Sequence, residues 1–209
     1  MTNLVELKKA IEFGDRDTAV RLTQEAIDAG VPPKEILDDM TAAMDVVGRK
    51  FQQNEIYVPE MLISARAMKG ATAILEPVLV KAGIRPSAVA VIGSVKGDLH
   101  DIGKNLVAMM WKGANLEVID LGTNVDADRF VSAAKEHQAR LIGVSALLTT
   151  TMPGMRAVVA AVREAGLDAK VIVGGSPVTQ GFADEIGADG YAADAGAAVD
   201  VARSLAGIG

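Results

Sequence analysis

One short segment carries the residues of this chain that are best suited to chemistry. It reads GDLHDIGKN over 97–105 and places His100, one of only two histidines, between the carboxylates of Asp98 and Asp101. A histidine that ligates a metal through one ring nitrogen commonly donates its other N–H to a carboxylate. Asp98 and His100 are separated by one residue, so in an extended loop both side chains point to the same side. The segment therefore indicates either a metal-ligating His–Asp pair or a loop histidine that a capping aspartate holds in place.

Three other kinds of site fit the sequence poorly. A phosphate-binding P-loop needs Ser or Thr where Asn105 stands and Gly where Asp98 stands, and the glycine spacing of a dinucleotide site is absent too. A zinc site needs more ligands, but the chain has no cysteine, and His137 lies in AAKEHQAR, which is typical of a solvated helix face. The stretch GVSALLTTT does not form the G-x-S-x-G elbow of a serine hydrolase.

The composition favours a protein with an aliphatic core and no nucleic-acid partner. Of the 209 residues, 50% are hydrophobic and only 3% aromatic, and the net charge is −6 without a cluster of Lys or Arg. A surface that binds phosphates needs a basic face. The stretch MTNLVELKKAIEFGDRD lacks a continuous apolar core, and no run reaches the roughly 18 apolar residues of a membrane span. We therefore expect a cytoplasmic protein with no membrane partner.

The elements that position the GDLHDIGKN segment follow from two different patterns. In the first 84 residues, apolar side chains recur every three or four positions, as they do in helices. Breaks are predicted at 14–15, 30–33 and 54–59, where Gly, Pro, Asp or Asn occur, and Asp15 is a predicted N-cap. The pattern predicts four helices packed as a bundle.

From residue 85 onward, short β-branched runs alternate with amphipathic stretches. The predicted strands lie in AVAVIGSV, LEVIDLG, RLIGVSAL, AKVIVGG and ADGYAAD, and a predicted helix follows each of them. Five such alternations predict an α/β fold with a doubly wound, five-stranded parallel sheet of the flavodoxin or Rossmann type. Ligands of these sheets bind beyond the carboxyl ends of the strands, near the point where the winding direction changes. GDLHDIGKN lies at that edge, directly after the first strand.

The motif Asp-x-His-x-x-Gly, formed by Asp98, His100 and Gly103, resembles the cobalamin-binding signature of corrinoid proteins. That family includes the cobalamin modules of methionine synthase and the methyl-transferring corrinoid proteins of anaerobes. Two further family features follow in the same order, a Ser-x-Leu at Ser145 and Leu147 and a Gly-Gly at Gly174 and Gly175.

The resemblance extends to the helical part of the chain. The stretch YVPEMLISARAMKGATAILEPVL is similar to the last helix of the helical cap domain that precedes the cobalamin domain in methionine synthase. The resemblance therefore implies a helical cap domain over 1–84 and a cobalamin-binding α/β domain over 85–209.

The resemblance also implies a cofactor, cobalamin or a related corrinoid, in the base-off, His-on form. In this form a protein histidine replaces the cofactor's own base on cobalt. His100 is then the lower axial ligand and the only metal-ligating residue, Asp98 is its hydrogen-bonded carboxylate, and Thr151 completes the relay, with Thr149 and Thr150 as neighbours that could serve instead. The other residues expected at the cofactor are Gly97, Leu99, Asp101, Ile102, Gly103, Ser145, Leu147, Gly174, Gly175, Tyr57 and Met61.

An apolar lid over the cofactor is a further expectation for the helical part. Tyr57, Met61, Ala65 and Met68 fall on one side of the fourth predicted helix. Such a lid would exclude water from a reactive metal centre. Apolar stripes of helices usually form the core of a bundle, which favours that role for Met61 and Met68, whereas the resemblance favours Tyr57 facing the corrin.

The implied function is that of a corrinoid methyl carrier, a cofactor-bearing subunit rather than an enzyme on its own. A substrate-specific methyltransferase would methylate its cobalt, and a second methyltransferase would pass the methyl group to tetrahydrofolate, tetrahydromethanopterin or coenzyme M. A reductive activase is a further expected partner. Because two partners must reach one cobalt, we expect the two domains to separate about a hinge at 82–87, in AGIRPS.

Two alternative functions share the same α/β signature. One is the cobalamin module of an adenosylcobalamin-dependent mutase, against which the helical cap argues. The other is a cobalamin-dependent sensor or regulator, but the sequence contains no basic helix suited to reading DNA.

Overall fold

The structure, a computed structural model, describes residues 4–208. It divides the chain between Pro86 and Ser87 into two compact units. Within the described residues the first unit contains four helices, which are α1 (Leu4–Glu12), α2 (Arg16–Asp28), α3 (Pro33–Gln52) and α4 (Val58–Lys81). The predicted four-helix N-terminal region is therefore confirmed.

Local sequence explains where these helices begin. The side chain of Asp15 accepts a hydrogen bond from the backbone N–H of Thr18, so the predicted N-cap of α2 is confirmed. Proline lies in the first turn of α3 and of α4, where a missing N–H leaves no hydrogen bond unmade. Gly14 turns the chain between α1 and α2 at a φ of +75°, and a Cβ there would lie 2.5 Å from Ile63 of α4.

The apolar stripes of α1, α3 and α4 are buried, as their periodicity predicts. The large side chains without exposed surface on these helices are Leu7, Ile11, Ile36, Met40, Met44, Met61 and Leu75. Each burial of this kind stabilises the folded state by about 1.5 to 3 kcal/mol relative to an exposed side chain.

The second unit alternates strands and helices along its described length. Its elements are β1 (Ala88–Ser94), α5 (Ile102–Gly113), β2 (Leu116–Asp120), α6 (Ala127–Glu136), β3 (Leu141–Ser145), α7 (Pro153–Glu164), β4 (Lys170–Gly174), α8 (Gln180–Ile186), β5 (Gly190–Ala192) and α9 (Ala195–Ala206). All neighbouring strands are parallel, in the order β2-β1-β3-β4-β5. The predicted doubly wound parallel sheet is confirmed.

The strand order changes direction at β1. The chain leaves β1 for β2 at one edge of the sheet, then returns to place β3 on the other side of β1. The connections after β1 and β3 therefore diverge, and in sheets of this kind the point of divergence at the carboxyl ends forms a ligand-binding crevice. The two loops still meet at their start, where the N–H of Val95 donates to the carbonyl of Ser145 at 3.0 Å.

Two large aromatic side chains fix the helices next to this crevice. Trp111 of α5 is fully buried and lies against Gly143, where a Cβ would come within 2.7 Å of the ring. Its indole N–H donates to the carbonyl of Ala198 in α9 at 2.9 Å. On the opposite face, Phe130 of α6 lies against Gly93, where a Cβ would be 2.9 Å away. Glycines in β1 and β3 thus make room for the residues that hold α5 and α6 on the sheet.

Candidate functional site

The carboxylate of Asp98 lies fully buried just after β1. Among the described residues, five donors reach it. Its Oδ1 accepts from the backbone N–H of His100 at 3.0 Å and contacts Nδ1 of the His100 ring at 2.8 Å. Its Oδ2 accepts from the hydroxyl of Thr151 at 2.7 Å and from the N–H groups of Leu147 and Leu148 at 2.7 and 3.3 Å. The carboxylate thereby joins the loop after β1 to the loop after β3.

These hydrogen bonds decide the charge of Asp98. Burial by itself would raise the pKa of the carboxyl, but the bonds from Thr151 and from the backbone of His100 and Leu147 outweigh burial and hold that pKa well below its ordinary value of 3.8. Asp98 is therefore ionised at neutral pH and can only accept hydrogen bonds.

The charge of Asp98 in turn fixes the tautomer of neutral His100. Because the carboxylate can only accept, Nδ1 of His100 must be the protonated nitrogen, and the lone pair lies on Nε2. The imidazole side chain is 50% exposed while Asp98 is not exposed at all. Nε2 is thus the nitrogen available to a metal, with a carboxylate behind the ring.

A tight turn brings the two side chains together. Oδ1 of Asp98 accepts from the N–H two residues further on, which makes an Asx turn rather than the extended loop that the spacing suggested. Gly97 enables the turn with a φ of +82°. The buried hydroxyl of Ser94 donates to the carbonyl of His100 at 2.7 Å and fixes the other end of the turn. The side chains of Asp98 and His100 do lie on one side, as predicted.

Large apolar side chains are exposed in the loops around His100. They are Leu99 at 73%, Ile102 at 74%, Leu147 at 43% and Leu148 at 42%. Exposed apolar groups that cluster near a polar centre mark binding surfaces. Asp101, also exposed, accepts from the side chain of Asn105 at 3.1 Å. The surroundings of the imidazole therefore suit a large ligand that is partly apolar.

The structure distinguishes the three consecutive threonines. Only Thr151 contacts Asp98 within the described residues, whereas Thr149 and Thr150 are exposed. The Thr151 hydroxyl also lies 2.9 Å from the carbonyl of Leu148, so its single proton has two possible acceptors. The ionised carboxylate is the stronger of the two.

Of the predicted cofactor-binding pair 174–175, Gly175 is required by the protein's own backbone, and Gly174 has little room for a side chain. Gly175 has a φ of +132°, and a Cβ there would lie 2.0 Å from the carbonyl oxygen of Ala146. At Gly174 a Cβ would lie 3.0 Å from the carbonyl oxygen of Ala192. Gly103, by contrast, has open space where its Cβ would be. Close approach of a ligand is therefore not needed to explain the pair 174–175, and its contact with a cofactor stays a prediction.

The residues predicted for a lid differ in exposure. Tyr57, which precedes α4, is 64% exposed, whereas Met61, Ala65 and Met68 are buried. This burial is what the bundle-core interpretation of the two methionines expects. Contact of Tyr57 or Met61 with a cofactor stays a prediction.

Sequence reasoning missed the loop between β2 and α6. Oδ1 of Asn124 accepts from the N–H of Gly97 at 2.8 Å, and the N–H of Asn124 donates to the carbonyl of Asp98 at 2.9 Å. An asparagine in a predicted loop signals a left-handed turn residue, and Asn124 has a φ of +56°. Its partners could not be read from the sequence, because the strand order that brings the two loops together was not predicted.

A buried lysine was missed as well. Lys104 of α5 is 3% exposed, and its Nζ donates to both carboxylate oxygens of Asp120 at 2.7 and 2.6 Å and to Oδ1 of Asn105 at 2.7 Å. Asp120 in turn accepts from the N–H of Gly122 at 2.9 Å. This network ties the start of α5 to the end of β2.

The donor set fits a metal that is already chelated. In residues 4–208 no group of three or more His, Cys, Asp or Glu side chains could hold a bare metal ion. His137 is the C-cap of α6, and its Nε2 lies 4.0 Å from Oε1 of the adjacent Glu136. A single imidazole with a carboxylate behind it can serve a metal that brings its other ligands, as a corrin does. No helix in the described part of the chain is long and apolar enough to span a membrane.

Comparison with known protein families covers both units. A B12 binding domain model matches residues 88–200, and a second B12 binding domain model matches residues 4–76. The chain is 42% identical over 213 residues to a corrinoid protein of Desulfitobacterium hafniense (strain Y51), with 99% of each chain covered. It is 39% identical over 206 residues to dimethylamine corrinoid protein 1 of Methanosarcina mazei, with 97% of this chain and 95% of the relative covered.

Solved structures give the same result. The methanol:cobalamin methyltransferase complex MtaBC from Methanosarcina barkeri matches with a TM-score of 0.85 and 30% identity, over 96% of this chain and 78% of that one. A cobalamin-binding protein from Desulfitobacterium hafniense DCB-2 matches with a TM-score of 0.83 and 28% identity, over 97% and 98% of the two chains. The cofactor is therefore cobalamin or a related corrinoid, and the chain belongs to the cobalamin-binding corrinoid proteins of methyltransferase systems.

Proposed function

We propose that this chain is a corrinoid methyl carrier that receives a methyl group from a substrate-specific methyltransferase and hands it to a second methyltransferase. The observation that carries the proposal is the arrangement of Asp98, His100 and Thr151 at the crevice of the sheet, in a chain whose relatives are corrinoid proteins. When bound, the corrinoid supplies a cobalt centre that can accept and release a methyl group.

The residues of the turn would hold the cofactor in the base-off, His-on form. His100 would bind the cobalt through Nε2, because Asp98 occupies Nδ1. Thr151 and the N–H of Leu147 keep the carboxylate ionised and fixed in place. A His–Asp pair that is held in this way orients the ring before any ligand arrives, which lowers the entropy cost of binding.

The remaining predicted residues fall into three groups by the part of the cofactor that each is proposed to contact. Leu99, Ile102 and Leu147 offer exposed apolar surface to the corrin ring. The groups proposed to border the nucleotide tail of the cofactor are the small or hydroxyl-bearing residues Gly97, Gly103, Ser145, Thr149, Thr150, Gly174 and Gly175, together with Asp101. Tyr57 and Met61, in the proposed cap domain over 1–84, are proposed to lie over the cofactor.

The names of relatives support a class of methyl donor. Dimethylamine and trimethylamine corrinoid proteins of Methanosarcina are 39% identical to this chain over 206 and 202 residues. We therefore propose a methylated amine as the donor, with methanol as the second donor to test, since the MtaBC complex is a structural neighbour. The proposed acceptor is tetrahydrofolate, tetrahydromethanopterin or the thiol of coenzyme M, and a reductive activase is the proposed partner for reactivation.

The direct test of this proposal is reconstitution with hydroxocobalamin followed by absorbance spectroscopy. We expect a His-on spectrum from the wild-type chain and a His-off spectrum from His100→Ala, because no other imidazole contacts Asp98 within the described residues. The matched control is His137→Ala, which removes the second histidine and should leave the spectrum unchanged. A His100→Ala protein with the wild-type spectrum would remove the basis of the proposal.

Methyl transfer is then measured with candidate partners. The cobalt of the reconstituted chain is first reduced to Co(I) with a chemical reductant, because only that state can take a methyl cation from an amine. The chain is then incubated with a methylamine methyltransferase and each methyl donor, and methylation of the cofactor is followed by its absorbance. We expect methylation with a methylated amine and none with His100→Ala at equal cofactor loading. Methylation from methanol alone would overturn the amine assignment but not the carrier function.

A further inference from the structure

We infer that Asn124 is a positioning residue for the His100 ligand, acting through the backbone of Asp98. The inference rests on the proposed role of His100 and adds a residue from a third loop, between β2 and α6. Asn124 does not touch the imidazole. It holds the dipeptide that carries the carboxylate behind the imidazole.

Two hydrogen bonds of Asn124 bracket the dipeptide Gly97–Asp98. Its side-chain Oδ1 accepts from the N–H of Gly97 at 2.8 Å, and its backbone N–H donates to the carbonyl of Asp98 at 2.9 Å. Gly97 and Asn124 both adopt left-handed backbone conformations, with φ of +82° and +56°. Asparagine suits this position because it tolerates that conformation and supplies a short acceptor.

The two hydrogen bonds of Asn124 add to the restraints on Asp98 from the loop after β3. The loop after β3 holds Oδ2 through Leu147 and Thr151, while the loop after β2 holds the main chain through Asn124. Oδ1 is then left in one orientation, towards the ring of His100. Without the Asn124 side chain, Gly97 loses its N–H acceptor and can rotate, since glycine has few steric limits and this glycine is exposed.

The loop itself does not depend on the Asn124 side chain. The N–H of Ser94 donates to the carbonyl of Gly122, and the N–H of Val125 donates to the carbonyl of Ser94, both at 3.0 Å. Lys96 also pairs with Asp126 at 2.6 Å. A change at Asn124 should therefore loosen the Gly97–Asp98 dipeptide while the β2–α6 loop stays docked.

The experiment compares three variants of the full chain. Asn124→Gly keeps the left-handed backbone but removes the acceptor, and Asn124→Asp keeps an acceptor oxygen. Asn115→Gly is the matched control, because Asn115 also has a left-handed φ, of +62°, but its side chain donates to Ser87 at the amino ends of the strands. If Asn124→Gly does not fold, Asn124→Ala with Asn115→Ala supplies the same comparison.

Two measurements are made, one of them without any cofactor. In the apoprotein, amide hydrogen exchange at Gly97 should be about tenfold faster or more in Asn124→Gly than in the wild type, as expected for a lost hydrogen bond. In the reconstituted protein, the His-on to His-off ratio should fall roughly tenfold, the lower end of the effect of removing a residue behind a metal ligand. Asn124→Asp should restore both quantities, and Asn115→Gly should change neither.

The outcomes separate this inference from the proposed function. If Asn124→Gly matches the wild type and Asn115→Gly in both measurements, Asn124 is not a positioning residue. Failure of Asn124→Asp to restore the His-on ratio would also contradict the inference. If His100→Ala leaves the spectrum unchanged, the proposed function fails, while exchange at Gly97 still decides whether Asn124 holds the dipeptide.

Discussion

The Asp98 carboxylate shows how much one buried side chain can organise. Each of its oxygens faces donors only, from the His100 turn on one side and from the 147–151 loop on the other. A buried carboxylate is costly unless hydrogen bonds compensate it, and here several do. The same bonds that make its burial tolerable also set the tautomer of the imidazole.

Asp98→Asn tests this organisation in the apoprotein. An amide brings two N–H donors, so one of the two donor sets around position 98 must face another donor. We expect the free energy of unfolding to fall by about 2 to 4 kcal/mol, the effect of leaving one or two buried groups unpaired. Urea unfolding measures the change. Asp101→Asn, at an exposed position, is the control and should shift stability by less than about 0.5 kcal/mol.

The lowered pKa of Asp98 also predicts an acid dependence. Below neutral pH the unfolded chain binds a proton at this carboxyl before the folded chain does, so stability rises with pH. The contribution of Asp98 is complete above the unfolded pKa of about 4 and is lost as the pH falls below it. We expect the urea midpoint of the apoprotein to fall between pH 5 and pH 2.

The contribution of Asp98 is isolated by comparing how steeply the stability of the wild type and of Asp98→Asn falls with pH. Hydrogen bonds from Thr18 also lower the pKa of Asp15. The loss of wild-type stability at acid pH therefore includes contributions from carboxylates other than Asp98. Asp98→Asn should therefore decline less steeply than the wild type over the same pH interval. Equal slopes would show that the folded protein does not favour the charged form of Asp98.

At the scale of helices and strands, the sequence predicted the elements well but not their contacts. β-branched runs predicted the first four strands, because β-branched side chains pack well on a pleated sheet. The fifth was predicted within ADGYAAD and forms only over Gly190–Ala192. The side chain of Asp189 accepts from the N–H of Val171 at 2.8 Å and takes the place of a further strand bond. A side chain that ends a ladder in this way leaves no periodic signal.

The site could be predicted in part for a related reason. The spacing of Asp98 and His100 identified the pair, since neighbours in sequence are bound to be neighbours in space. The family resemblance favoured Thr151 but left Thr149 and Thr150 as neighbours that could serve instead, and the turn before α7 places the Thr151 hydroxyl on Asp98. Asn124 was not found because its contact with Gly97 depends on β2 lying beside β1.

Gly175 supplies a prediction that belongs to the packing of β3 against β4. Gly175→Ala would place a methyl group against the backbone carbonyl of Ala146, which cannot move without disturbing β3. We expect a loss of about 3 kcal/mol or more in the free energy of unfolding. Gly187→Ala is the matched control, because Gly187 has a φ of +72° and open space around it, and should cost only about 1 to 2 kcal/mol. Urea unfolding of both variants decides whether the contact or the backbone angle dominates.

At the scale of the whole molecule, binding of the cofactor is linked to stability. A ligand that binds only the folded state, at a concentration about 100 times its Kd, adds about 2.7 kcal/mol to the free energy of unfolding. For a unit as large as the second one, this corresponds to a rise in Tm of roughly 10 °C. Calorimetry with and without hydroxocobalamin measures this rise. His100→Ala should reduce it, because the axial bond is lost.

The rise in Tm on cofactor binding also tests whether the first unit contributes a lid over the cofactor, as proposed for the cap domain. If Tyr57 lies over the cofactor, Tyr57→Ala should lower the cofactor-dependent rise in Tm while leaving the apoprotein nearly unchanged. Val80→Ala is the control, since Val80 is exposed to a similar degree, 70% against 64%, at the other end of α4. An equal rise in Tm for Tyr57→Ala and the wild type would remove Tyr57 from the proposed lid.

Asp98 is held by its own turn and by two other loops, so the nonapeptide GDLHDIGKN would not form the same site if it were transferred alone to another protein. Grafted onto the first loop of another parallel sheet, it would lack the N–H groups of Leu147 and Leu148 and the amide of Asn124. Its aspartate would then be solvated or protonated, and the ring would turn freely. Installing a corrinoid ligand in another protein therefore requires residues 94–105, 121–126 and 145–151 together. A genome search for the linear motif alone will include chains that lack the supporting loops and do not bind a corrinoid.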